Sequence, residues 1–109
     1  MRKVTKEVCL AFLNGKTKTI GNTSTNGHSL YLHGNRIAWF VDETRKMIYL
    51  SDCGWDTVTT RDRLNGLLSL CNSSVCVFKQ KGRQRIKLAY GITEWDGSPL
   101  AVLNLYGKD

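Results

Sequence analysis

The sequence predicts a single α+β domain over residues 1–109, with an antiparallel sheet of about five to six strands and two helices packed on one of its faces. Three observations predict this fold. Two stretches have apolar residues at helical spacing. Several short stretches have alternating side chains typical of strands and are separated by turn-forming residues, and a length of 109 residues suits one domain. The predicted order of elements is α-β-β-β-α-β-β-β.

The two helices are predicted from their apolar stripes and from the residues at their ends. The first is expected to end at Asn14-Gly15, because glycine accepts the left-handed conformation that follows a last helical turn. The second is expected to begin at Thr59, with Asp62 as its short-acid capping partner. Gly66 weakens this helix by about 1 kcal/mol relative to alanine, unless another residue packs closely against it. The predicted buried face of the second helix consists of Leu64, Leu67, Leu68 and Cys71.

The strands are predicted from alternating stretches and their turns. Between the helices we expect a polar loop at 21–27, followed by a three-stranded meander with a two-residue turn at Gly34-Asn35. After the second helix we expect turns at Lys81-Gly82 and at Asp96-Gly97-Ser98-Pro99. The six predicted strands cover residues 28–33, 36–41, 47–50, 75–78, 86–90 and 100–103.

The composition excludes several classes of protein. No stretch of 18 apolar residues is present, and Lys6 and Glu7 interrupt the N-terminal segment, so we expect no membrane span and no normal signal peptide. We therefore expect a cytoplasmic protein whose four cysteines are reduced. Cys71 and Cys76 flank a predicted turn and are the first pair to test for a disulfide.

No catalytic or metal-binding constellation is recognisable in the sequence. There is no phosphate-binding glycine loop and no Cys-x-x-Cys pair, and His28 and His33 are five residues apart, which places them on opposite faces of a strand. We therefore expect a protein that is not an enzyme and that holds no metal and no cofactor.

Alternating cations around the turn at Gly82 are the strongest local signal. Alternate residues of a strand share a face, so such a ribbon suits a phosphate backbone. The alternative is a solvated hairpin whose charges discourage pairing at the sheet edge. The cations are Lys79, Lys81, Arg83, Arg85 and Lys87.

A second cationic segment lies at the start of the second helix. Arg61 and Arg63 lie where the helix dipole disfavours positive charge, so their placement favours a nearby anion or acidic partner. The alternative is that both arginines reach solvent or pair with Asp56 and Asp62.

Aromatic side chains supply possible stacking surfaces for bases. Trp55 precedes the second helix, where its ring is either a lid on the core, which we favour, or an exposed anchor for a partner. Trp39 and Phe40 are expected to divide between core and surface. The stacking candidates are Trp39, Trp55, Trp95, Tyr31, Tyr49 and Tyr90.

Two stretches in the middle of the chain, Leu30–Ala38 and Gly54–Asn65, carry a resemblance. They resemble small bacteriophage-encoded proteins of unassigned function, with a short strand pair ending in Ile-Ala and a helix that starts with Thr-Thr-Arg. The match covers about residues 28–68. The resemblance implies expression in the reducing cytoplasm of an infected bacterium, and it brings no catalytic residues.

The net charge of +7 leaves two hypotheses for function. The first is an accessory protein that binds DNA or RNA through the basic hairpin and the helix start. The alternative is a protein-binding inhibitor or modulator of a host enzyme or defence complex, which docks on an acidic surface. A homo-oligomer formed through edge strands or an exposed tryptophan patch is compatible with both. Aromatic residues beside the basic ribbon would favour the first hypothesis.

Overall fold

Residues 1–107 are described by the structure, a computed structural model, and they contain two helices and nine strands. The helices are α1 (Lys3–Leu13) and α2 (Val58–Cys71). The strands before α2 are β1 (Thr17–Ile20), β2 (Thr23–Asn26), β3 (Ser29–Leu32), β4 (Asn35–Phe40) and β5 (Met47–Leu50). The strands after α2 are β6 (Cys76–Gln80), β7 (Arg83–Leu88), β8 (Gly91–Glu94) and β9 (Leu100–Leu103).

All strand pairs are antiparallel and form two sheets in the described part of the chain. The larger sheet has six strands in the order β1-β2-β3-β4-β5-β9, and the smaller has three in the order β6-β7-β8. Helix α1 packs against β1, β2 and β3, while α2 packs against β4, β6 and α1. The α+β class is therefore confirmed. The last strand pairs with β5 instead of its sequence neighbours, which leaves β6, β7 and β8 as a separate sheet.

The predicted polar loop at 21–27 is wrong, because β2 lies within it and pairs with both β1 and β3. Thr23 and Thr25 occupy the buried positions of β2, and the Thr25 hydroxyl donates a hydrogen bond of 2.7 Å to the Ser29 carbonyl. A strand whose inward residues are threonines has no apolar alternation, so its pattern resembles a loop. Strands β1 and β8 also have no counterpart among the predicted elements.

The turns and helix ends follow the expected chemistry, with small shifts. The β3–β4 turn uses His33 and Gly34, with φ of 51° and 79°, one residue earlier than predicted. The Lys81-Gly82 turn is confirmed, with φ of 52° and 76°. Helix α2 begins after Thr57, whose hydroxyl accepts a hydrogen bond from the Thr60 amide at 3.1 Å, and not at Thr59.

The end of α1 is the predicted glycine stop. Gly15 has φ of +71°, its N–H donates to the Phe12 carbonyl, and the N–H of Lys16 donates to the Ala11 carbonyl. This pair of bonds is a Schellman motif, in which two of the last helical carbonyls find partners.

The core lies between the two helices and the inner face of the six-stranded sheet. The rings of Phe12 and Phe40 stack there with centroids 4.5 Å apart, while Trp39 lies on the opposite face of β4, so the predicted division of Trp39 and Phe40 is confirmed. Thr5 of α1 packs on Gly66, where an added Cβ would lie 2.2 Å from the Thr5 methyl. The glycine therefore lets the two helices approach closely.

One edge of the three-stranded sheet is closed by a side chain. The Asn65 amide nitrogen donates to the Val77 carbonyl, and the Val77 N–H donates to the Asn65 side-chain oxygen, both at 2.7 Å. The amide thus pairs with β6 as a neighbouring strand would.

Candidate nucleic-acid interface

The β6–β7 hairpin presents its cations on the face turned away from the core. In the β6–β7 register, Phe78 lies opposite Arg85, and Gln80 opposite Arg83. Directly opposite residues share a face. Gln84 and Ile86 are buried on the other face. Arg83, Arg85 and Lys87 therefore point outward together, as predicted for the last two.

Lys79 lies on the other face and is not part of the outward row of cations. The two-residue turn pairs Gln80 with Arg83, and therefore Lys79 with the buried Gln84. Because this turn pairs odd-numbered residues of β6 with even-numbered residues of β7, the odd-numbered residues point outward on β7 and inward on β6. Lys81 lies within the turn and is exposed.

The hairpin cations differ in their partners. Arg83 forms an exposed ion pair with Glu94 at 3.2 Å, and Lys79 forms one with Asp56 at 3.3 Å. Exposed pairs of this kind contribute about 0–1 kcal/mol and do not prevent either cation from binding another anion. Among residues 1–107, Lys81, Arg85 and Lys87 form no ion pair.

Arg63 is enclosed, in contrast to the hairpin cations. Its side chain is 3% exposed, and its guanidinium donates to the Thr23 hydroxyl at 2.8 Å, the Thr5 hydroxyl at 3.0 Å and the Asn22 side-chain oxygen at 3.2 Å. It also pairs with Asp62 at 2.6 Å. Arg63 thus joins α2 to β2 and α1, and it presents no charge to a ligand.

Arg61 is also engaged within the protein. Its side chain is 12% exposed, pairs with Asp56 and donates to the Gln84 side-chain oxygen at 3.3 Å. Desolvation acts to raise the pKa of Asp56, but hydrogen bonds from Lys79 and Arg61 outweigh it and hold that pKa below its usual value. The two arginines at the helix start therefore pair with Asp56 and Asp62, which is the alternative interpretation given for them.

Trp55 is not a lid on the core: it is 57% exposed. In the β5–α2 connection, the backbone N–H of Trp55 donates a hydrogen bond of 2.8 Å to the Asp52 carbonyl. Trp55 forms one wall of a cavity of about 300 Å³ on the helix side of the larger sheet. Other lining residues are Leu32, His33, Ile37 and Thr59.

The four cysteines are free thiols. Cys71 is buried and does not pair with Cys76, so the disulfide is absent. Burial raises the pKa of Cys9 to about 12, with Cys71 adding to the effect, and burial raises the pKa of Cys71 to about 12 as well. Among residues 1–107, no three His, Cys, Asp or Glu residues are grouped as metal ligands, and no helix is long and apolar enough to cross a membrane.

The sequence of the whole domain identifies its family. The family described as Kyanoviridae Gp96 protein matches residues 1–101. The chain belongs to this family of phage proteins. The resemblance to phage-encoded proteins is therefore confirmed, and the match extends well beyond residues 28–68 to both helices, strands β1 to β8 and the start of β9. No curated protein and no solved structure matches the chain.

Phe78 is the residue of the hairpin that the sequence analysis missed. It was assigned to a strand, but its face was not, and the β6–β7 register now places it beside Arg85 on the outward face. The signal was available in the sequence, because Val77 and Ile86 are the apolar partners of a buried pair, and Phe78 must then point the other way. The outward face of the three-stranded sheet thus combines cations with an aromatic ring and with one carboxylate, Glu94, opposite Arg85.

Proposed function

We propose that this phage protein binds nucleic acid in the cytoplasm of the infected bacterium through the outward face of the β6–β7–β8 sheet. The observation that carries the proposal is the placement of Phe78 directly opposite Arg85, with Arg83 and Lys87 on the same face. Cations neutralise phosphates, and aromatic rings stack on bases, so the combination suits a nucleic acid better than either feature alone.

The distribution of charge supports the same proposal. The chain carries a net charge of +7, and one of its cations, Lys81, lies at the tip of the hairpin turn. Alternate residues on one strand are about 6.6 Å apart, so the outward cations of β7 form a row along the strand. A flexible polyanion can follow such a row and release one condensed counterion for each phosphate contact.

The decisive experiment is charge reversal at Lys81, Arg83 and Lys87, each replaced by glutamate. All three side chains are exposed, so the fold is expected to survive. Affinity for a fluorescently labelled single strand, measured by anisotropy at about 50 mM salt, should fall by at least tenfold. The slope of log affinity against log salt should also become shallower, by about 0.7 for each phosphate contact removed.

A matched control separates site from net charge. Reversal of Lys3, Lys6 and Lys16 changes the net charge by the same amount, on and just after α1. If both triple variants lose affinity equally, the binding is non-specific and the hairpin face is not the site. Absence of any binding by the natural protein at low salt would end the proposal.

A protein-binding modulator without catalytic activity is the second candidate, and one observation favours it. All four residues of β8 are exposed, and β8 is the last strand of its sheet in the described part of the chain. An open edge can accept a strand from an acidic host protein. Ile92→Lys should then abolish recovery of one host protein from lysate while leaving nucleic-acid affinity unchanged.

A further inference from the structure

The larger sheet has a second face, which is turned away from both helices and is rich in aromatic residues. Ala38 and Phe40 of β4 belong to the core, so Trp39 between them points outward, and its register partner Tyr49 shares that face. A bulge in β4 makes Arg36 the partner of Tyr31, and both lie on the same outward side. Tyr31, Trp39 and Tyr49 are each half-buried, and Arg36 is exposed.

The outward residues already stack on one another. The rings of Trp39 and Tyr49 lie with centroids 5.5 Å apart at an interplanar angle of 35°. The Arg36 guanidinium lies over the Trp39 ring, 4.0 Å from its centroid. This contact is a cation–π interaction, which keeps the positive charge of Arg36 beside the aromatic rings.

The charge of this face selects among partners. Arg36 is the only charged residue that the strands of the described chain place on it. The register places neutral residues around the aromatic row: Thr19, Ser24, Ser29, Met47, Ala101 and Leu103. A face with flat rings, one cation and no carboxylate is complementary to an anionic chain with flat, apolar substituents. Unpaired bases on a phosphate backbone have this chemistry, whereas a duplex hides its bases.

We infer that the outward face of the six-stranded sheet binds unpaired bases of a single-stranded nucleic acid. The bases stack on Tyr31, Tyr49 and Trp39, and the base on Trp39 takes the place of the Arg36 guanidinium, which moves to a backbone phosphate. The inference rests on the proposed function, because the hairpin cations supply the general attraction to phosphate. It adds the class of ligand: a single strand is bound more tightly than a duplex of the same sequence.

The test compares a labelled oligothymidylate of about 20 nucleotides with a duplex of equal length at about 50 mM salt. Trp39→Leu and Tyr49→Leu should each weaken single-strand binding by about 5- to 150-fold, since one stacked base contributes roughly 1–3 kcal/mol and about 1.4 kcal/mol is tenfold. Duplex affinity should stay within about twofold. Val58→Ala, on the 73% exposed Val58 of α2, removes apolar surface elsewhere and should change neither affinity.

A second readout does not depend on removing the ring. Oligothymidylate should quench tryptophan fluorescence in the natural protein and in Trp55→Phe, but the quenching should be lost in Trp39→Phe, which keeps a ring for stacking. Equal quenching in both phenylalanine variants overturns the inference, as does equal affinity of single strand and duplex with Trp39→Leu unchanged. If hairpin charge reversal lowers affinity for both ligands while Trp39→Leu lowers neither, the inference fails and the proposed function still stands.

Discussion

Two cationic segments of this protein differ in the exposure of their side chains, although the sequence predicts an anionic partner for both. Arg61 and Arg63 at the start of α2 are neutralised by nearby acids, and Arg63 is fully enclosed. Lys81, Arg83 and Lys87 of the hairpin are exposed, and Arg85 is half-buried. The difference follows from burial. Helix α2 packs beside hydroxyl and amide oxygens that enclose Arg63, whereas the carboxylate beside β7, Glu94, forms only an exposed ion pair with Arg83. Positive charge in a sequence is therefore available to a ligand only where the fold leaves it exposed.

The strongest test of this contrast is Arg63→Leu. Removing the guanidinium breaks four hydrogen bonds at a buried site and takes away the cation beside Asp62, so the free energy of unfolding should fall by about 3–5 kcal/mol. Arg83→Leu, at an exposed site, should change it by no more than about 0.5 kcal/mol. Urea denaturation of both variants measures the two effects, and similar losses would break the comparison.

The close packing behind Arg63 is tested by Gly66→Ala. Helix propensity alone would stabilise α2 by about 1 kcal/mol. The added methyl would meet Thr5 at 2.2 Å, however, so we expect a net loss of about 1–3 kcal/mol in the free energy of unfolding. Thermal denaturation beside Ser69→Ala, at an exposed position of α2, gives the measurement. A stabilised Gly66→Ala protein would show that α1 can move away at little cost.

The buried thiols predict a dependence on alkaline pH. Because burial raises the pKa of Cys9 and Cys71 from 9.0 to about 12, the unfolded chain loses these protons first as pH rises. Their contribution to stability is complete below pH 9 and is lost as the pH rises towards 12, about 1 kcal/mol for each thiol by pH 10. The stability difference between pH 7 and pH 10 should be smaller in Cys71→Ala than in Cys53→Ala, where the thiol is exposed. Equal differences would contradict the burial of Cys71.

The smallest effect is expected at Asp56, which links the two segments through Arg61 and Lys79. Its lowered pKa stabilises the fold above the ordinary value of 3.8, and that contribution is lost as the pH falls through the folded-state value. The decrease in melting temperature between pH 6 and pH 3 should be slightly smaller in Asp56→Asn than in the natural protein. Glu43→Gln, in the exposed β4–β5 turn, serves as the control and should not reduce it.

The sequence predicted those parts of the fold that depend on local chemistry. The Gly15 stop and the Lys81-Gly82 turn depend on conformations that a few residues determine, and both helices have a clear apolar period. The sequence does not predict strands β1 and β2, because their buried positions hold polar residues or a single apolar residue and so show no apolar alternation. The pairing of the last strand with β5 depends on contacts between residues about 50 positions apart, which periodicity does not encode.

The candidate site was predicted in part for the same reason. The outward direction of Arg85 and Lys87 follows from the buried Ile86 between them. The enclosure of Arg63 depends on Thr23 and Thr5, which are 40 and 58 residues away along the chain. The face on which Lys79 lies depends on whether the turn has an even or an odd number of residues, and this is known only from the β6–β7 register.

The Asn65 amide that pairs with Val77 limits how copies of this protein could assemble. With β6 occupied by a side chain, the three-stranded sheet can gain a new strand at β8 alone. Polymerisation through a sheet needs two open edges, one to receive the preceding copy and one to receive the next. Assembly through this sheet therefore ends with a closed pair and does not continue into a fibre.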